Sequence, residues 1–143
     1  MTIRRIRPDE AAAVAQLWFD MCAQDPDPAN HLQERSHAPI ERALTAAAVH
    51  RDATCLVAER DGELVGFVTA AVLAHPVLLG TAGEVEELYG PGVERELAEA
   101  AVAWLQMCDG IGAIVHHTDI AGADPLWTEL GFERDVARYS LYR

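Results

Sequence analysis

Three glutamates within four residues, Glu84, Glu86 and Glu87, give this chain its clearest capacity for moving a proton. They lie in Glu84-Val-Glu-Glu-Leu-Tyr89, a segment with strand-like alternation. Alternation puts Glu84 and Glu86 on one face and Glu87 on the other, unless a bulge intervenes. Two carboxylates on one face raise each other's pKa, and a carboxylate base needs such a rise to work near neutral pH. The plain alternative is a solvated acidic face. A second cluster, His116-His117-Thr118-Asp119, closes a later strand. Neighbouring strand residues face opposite ways, so the two histidines are poorly placed to share a metal, and no metal site is expected. Either histidine, His116 first, has the titration range of a base. Cys22, Cys55 and Cys108 have no metal-type spacing and read as small buried hydrophobes in a reducing, cytoplasmic setting.

Composition narrows the partners. The chain has 143 residues, 50% of them hydrophobic, which suits one globular domain over residues 1–143. No apolar run reaches membrane-spanning length, and no apolar signal core follows the basic residues at the N-terminus. A net charge of −12 argues against nucleic acid. It favours a cationic acceptor, such as an amine, and opposes an anionic cofactor unless local positive charge offsets the field.

The elements that must position these groups follow from periodicity. Thr2 to Arg7 reads as a strand, and Pro8-Asp9-Glu10 opens a helix that carries Val14, Leu17, Trp18, Met21 and Cys22 on one face. A second helical region spans about residues 29–50, with a break near Ser36 to Pro39. Cys55 to Glu59 is a strand, Asp61-Gly62 a two-residue hairpin turn, and Leu64 to Leu73 an apolar returning strand buried on both faces. The strand Val85 to Tyr89 leads through Gly90-Pro91-Gly92 into a helix. Its apolar stripe is Val93, Leu97, Ala100, Ala101, Trp104, Leu105 and Cys108. A strand from Ile111 to His116, a short helix from Asp124 to Leu130 ending at Gly131, and one or two strands over 132–143 complete the chain. The order β-α-α-β-β-β-α-β-α-β is an α/β chain with a mixed, twisted central sheet flanked by helices.

Three segments in this order resemble the GNAT-type acyl-CoA N-acetyltransferases. They are the strand-turn-helix from Glu84 to Cys108, the hairpin Leu56 to Phe67, and Pro125-Leu-Trp-Thr-Glu-Leu-Gly-Phe132, which is similar to the family's Phe-Tyr-x-x-x-Gly-Phe. The likeness covers nearly the whole chain. It implies a single domain in which two strands splay and acyl-CoA lies in the gap. The backbone of Leu88, Tyr89 and Gly90 would pair with the pantetheine arm, and Gly92, Val93 and Arg95 would lie where the phosphates are held. Family members often carry the general base on the strand of Glu84, Glu86 and Glu87. The implied reaction is transfer of an acetyl group from acetyl-CoA to an amine of a small molecule or peptide, in a protein that could also form a homodimer.

The chain departs from the family in two places. The phosphate loop, usually Arg/Gln-x-x-Gly-x-Gly/Ala, is shorter by roughly six residues, allowing for ordinary boundary error. Pro91 has no N–H, Glu94, Glu96 and Glu99 follow, and Arg95 is the sole cation nearby in sequence. Trp127 stands where many members carry the tyrosine that protonates the leaving thiolate, and an indole N–H cannot act as that acid. Tyr89, Tyr139 and Tyr142 remain as substitutes without distinctive spacing. Asp119-Ile120-Ala121 replaces the usual asparagine near the cofactor arm. Acetyl-CoA is therefore expected to bind weakly or not at all. Two readings stand: an N-acyltransferase with a reduced loop, and a non-catalytic GNAT-like binding or interaction domain.

Overall fold

A computed structural model describes residues 1–27, 31–75, 80–117 and 124–134. Strand β1 (Thr2–Arg5) passes through a 3-10 turn at Pro8–Glu10 into helix α1 (Ala11–Ala23). Helix α2 (His37–Ala47) follows, then strands β2 (Ala53–Arg60), β3 (Glu63–His75) and β4 (Gly80–Tyr89). Helix α3 (Glu94–Gln106), strand β5 (Ile111–His116) and helix α4 (Pro125–Glu129) complete the described elements. The five strands form one sheet in the order β1-β2-β3-β4-β5. All neighbours are antiparallel except the parallel pair β4 and β5, so the sheet is mixed, as the element order implies.

Burial on both faces of β2 and β3 builds two cores. Leu56, Ala58, Val68, Ala70 and Val85 face α3 and meet Leu97, Ala101 and Leu105. Cys55, Val57 and Phe67 face α1 and α2 and meet Val14, Ala15 and Leu44. Trp18 stacks on Phe67 with ring centroids 5.4 Å apart. The hairpin turn carries positive φ at both residues, 52° at Asp61 and 79° at Gly62, the geometry that the right-handed twist of paired strands selects.

Three expectations change. The second helix is shorter than residues 29–50: a 3-10 turn at Glu34–Ser36 precedes α2, and Pro39 falls in its first turn, where no intrahelical N–H is needed. Strand β4 begins at Gly80, not near Val85, because Gly83 is part of it. A Cβ there would lie 2.8 Å from Leu105 Cδ2, so glycine lets α3 sit close on the sheet. Of the three cysteines only Cys55 is buried; Cys22 and Cys108 are partly exposed. The strands expected over 132–143 fall mainly on residues 135–143, outside the described residues.

Candidate functional site

The register between β3 and β4 slips at one point. Val68 faces Leu88 and Ala70 faces Val85, so Glu86 and Glu87 together oppose Thr69. This is a bulge, one extra residue on β4. The Glu87 N–H loses its ladder partner and donates instead to Thr69 Oγ1 at 3.1 Å. Val85, before the bulge, and Leu88, after it, both pack towards α3. Glu84 and Glu86 alternate away from Val85, to the α1 side. Glu87 also acts on that side, since its charge helps raise the pKa of the Cys22 thiol behind burial, the larger cause. Simple alternation would have set Glu87 on the opposite face; the bulge brings all three glutamates to one.

That face is bounded by the C-terminal end of α1. Gln24 Nε2 donates to Tyr89 Oη at 2.9 Å, and Tyr89 lies tilted on Phe67. Glu84 Oε1 meets His117 Nδ1 at 2.9 Å. Glu86 is exposed to water, yet burial of its surroundings, with Glu84 beside it, pushes its carboxyl above the ordinary carboxylate range. Water access limits that rise.

Beside the glutamates the described pairing of β4 with β5 ends. Strands β4 and β5 pair from Thr81 and Ile111 to Val85 and His116. Beyond that point, Glu86 to Tyr89 has no β5 partner among the described residues. His116 is the last β5 residue in that pairing. Its Nδ1 lies 2.8 Å from the Val85 carbonyl, so that nitrogen carries the proton and Nε2 is the basic one in the neutral ring. The ring stacks on Trp127 at 3.9 Å, and burial holds its pKa below the ordinary imidazole range. His116 therefore belongs to the α4 side, while His117 is the histidine that joins the glutamates. Nothing in the spacing of the adjacent pair distinguished them.

The residues after β4 form a tight turn. Val93 N–H donates to the Gly90 carbonyl at 2.9 Å, and Gly92 has φ 81°. Val93 caps α3 and is buried at 1% exposure. Arg95 pairs with Glu129 of α4 and approaches Glu99 at 3.9 Å. Leu88 and Tyr89 thus lie beyond the last described β4–β5 pair, whereas Gly90 is buried in the turn with Val93, and Arg95 is paired with Glu129. Tyr139, Tyr142 and Asp119 to Ala121 lie outside the described residues. No group of three or more metal-binding side chains occurs among the described residues, and no helix there is long and apolar enough to cross a membrane. A groove lined by Val102, Ile111, Ala113, Leu130 and Phe132 lies against β5 and the C-terminal half of α3, away from the glutamates.

No protein-family model matches the sequence, and no curated protein does. Solved structures do match the fold. A ribosomal-protein-alanine N-acetyltransferase from Brucella melitensis biovar Abortus 2308 aligns over 100% of both chains with TM-score 0.69 and 21% identity. A transcriptional regulator from Bacillus halodurans C-125 aligns over 99% of each chain with TM-score 0.75 and 17% identity. An aminoglycoside acetyltransferase from an uncultured soil metagenomic sample, solved with sisomicin, aligns over 99% of this chain and 96% of its own with TM-score 0.64 and 13% identity. At these identities the likeness is one of fold.

Proposed function

We propose that this chain, which has the fold of the GNAT-type N-acetyltransferases, transfers an acyl group from a thioester to an amine of a small molecule or peptide. The observation that carries the reading is the bulge in β4. It gathers Glu84, Glu86 and Glu87 on one face beside the last described β4–β5 pair. An amine at neutral pH arrives as an ammonium ion, which an acidic face attracts. It must lose a proton before its nitrogen can attack a carbonyl, and Glu86, held above the ordinary carboxylate range, suits that transfer. His116, with Nε2 as its basic nitrogen, is a further candidate base on the α4 side.

The thioester, when bound, supplies the acyl carbonyl and a thiol leaving group. The chain's own part is to hold and deprotonate the amine. Acetyl-CoA is the donor that the fold implies. Its amide-bearing arm suits the β4 backbone at Leu88 and Tyr89, which has no β5 partner among the described residues. Its diphosphate has no comparable fit at the closed turn Gly90 to Val93. One neighbour is named for ribosomal-protein alanine and another for aminoglycosides, so a peptide and an aminoglycoside both belong among the acceptors to try.

The test is product analysis. The full chain is incubated with acetyl-CoA at about millimolar concentration, above a usual KM. The amines are aminoglycosides, diamines and peptides with free N-termini. Mass spectrometry should find an acetylated amine that forms only with the protein present. No product with any amine, from a folded chain, would favour the non-catalytic reading.

A further inference from the structure

The donor side of the site has one feature at odds with a nucleotide-bearing thioester, and its consequence rests on the proposed acyl transfer. A diphosphate needs several backbone N–H groups converging at a helix start, or free cations. The turn before α3 offers little of either: two of its four residues give no free N–H, and the first turn of the helix carries Glu94 and Glu96 beside its own donors. Pro91 has no N–H, and the Val93 N–H is spent on the Gly90 carbonyl. The turn cannot spread to make a cradle, because it is pressed onto β3. A Cβ at Gly66 would lie 2.7 Å from the Tyr89 carbonyl oxygen and 2.8 Å from Gly90 Cα, and one at Gly90 would lie 2.6 Å from Val93 Cγ2. Val93 and Leu97, both buried, fasten the turn from the other side.

Charge points the same way. The chain contains no lysine, and its 11 cationic side chains are all arginines. Arg95, at the start of α3, is held by Glu129 and Glu99. Glu94 and Glu96 occupy the first turn of the helix, where they take up the positive end of its dipole. A polyanion brought here would meet carboxylates first. The adjacent edge of β4 has the opposite character. Leu88 and Tyr89 pair there with β3 and have no β5 partner among the described residues, which leaves strand backbone suited to neutral amides, with no phosphate to satisfy.

We propose that this site recognises its acyl donor through the neutral, amide-bearing thioester arm alone and takes no hold on the nucleotide, so that acetyl-pantetheine and acetyl-CoA are equivalent donors. Calorimetry on the full chain with two stable thioethers, S-ethyl-pantetheine and S-ethyl-CoA, tests this directly. The expected result is two dissociation constants within about tenfold of each other, the equivalent of ~1.4 kcal/mol. Adenosine 3′,5′-bisphosphate should not compete with either thioether. Tighter binding of S-ethyl-CoA by more than about tenfold would overturn the inference and leave acyl transfer standing. Failure of both thioethers to bind at about millimolar concentration would remove the inference and acyl transfer together, since no donor site would remain.

Discussion

At the scale of single residues, Glu86 and Thr69 do different work at the same bulge. Glu86 acts as a base only when deprotonated, and burial with Glu84 nearby raises its pKa. Turnover should therefore climb with pH through a value above the ordinary carboxylate range, then level off. Glu86→Gln should lower kcat by about a hundredfold and abolish that limb of the profile, with the folded stability little changed. An unaltered pH profile in Glu86→Gln would transfer the base to Glu84, Glu87 or His116. Thr69 supports the bulge: its hydroxyl accepts the Glu87 N–H that the bulge leaves over. Thr69→Val keeps the shape and orphans that donor, at a cost of about 1–3 kcal/mol in urea denaturation. Thr69→Ser should recover most of the loss. Equal stability of the valine and serine variants would mean that the hydroxyl does not hold the bulge.

At the scale of elements, the sequence disclosed what local chemistry dictates and hid what register dictates. The Asp61-Gly62 hairpin was legible because positive φ at both turn residues suits that pair. The apolar run of β3 announced burial on both faces, and Phe67 and Val68 are fully buried on opposite sides. The start of β4 was illegible: Gly80 and Gly83 look like loop residues until α3 is seen lying on Gly83. The bulge was illegible too, because it is a mismatch between two strands and has no mark on either. Alternation alone therefore set Glu87 opposite the other two, with a bulge left as the alternative, and His117 gave no sign of its contact with Glu84. The closed turn at Gly90 could be counted in the sequence, but its contact with Gly66 could not. Gly66→Ala should reveal that contact. The added carbon would strike backbone on both sides, which cannot rotate away, so thermal unfolding should show a loss of about 1–3 kcal/mol. A neutral substitution would mean that the turn has room to move, and the case against a phosphate cradle would weaken.

At the scale of the whole molecule, two cores pack on opposite faces of one sheet. The first strand is tied to the start of α1 by Arg4, whose guanidinium binds Glu10 at 2.6 and 3.0 Å and reaches Glu59 at 3.5 Å. The Arg4 hydrogen bond, above all, lowers the Glu10 carboxyl from the usual 4.5 to about 2. A carboxyl lowered on folding contributes stability above its unfolded pKa, and that contribution fades as pH falls through its folded one. Urea midpoints of the wild type should thus fall between about pH 4.5 and pH 2 more steeply than those of Glu10→Gln. Parallel curves would show that the pair adds nothing.

The acyl-transfer account itself turns on whether the three glutamates of β4 drive amine chemistry. The direct measurement is thiol release from acetyl-CoA by the full chain, with and without an amine acceptor, in the wild type and in the triple variant Glu84→Gln, Glu86→Gln, Glu87→Gln. The account predicts release that requires the amine and falls by about a hundredfold or more in the variant, while the variant stays folded. Release that ignores the amine, or that persists in the variant at the wild-type rate, would contradict it.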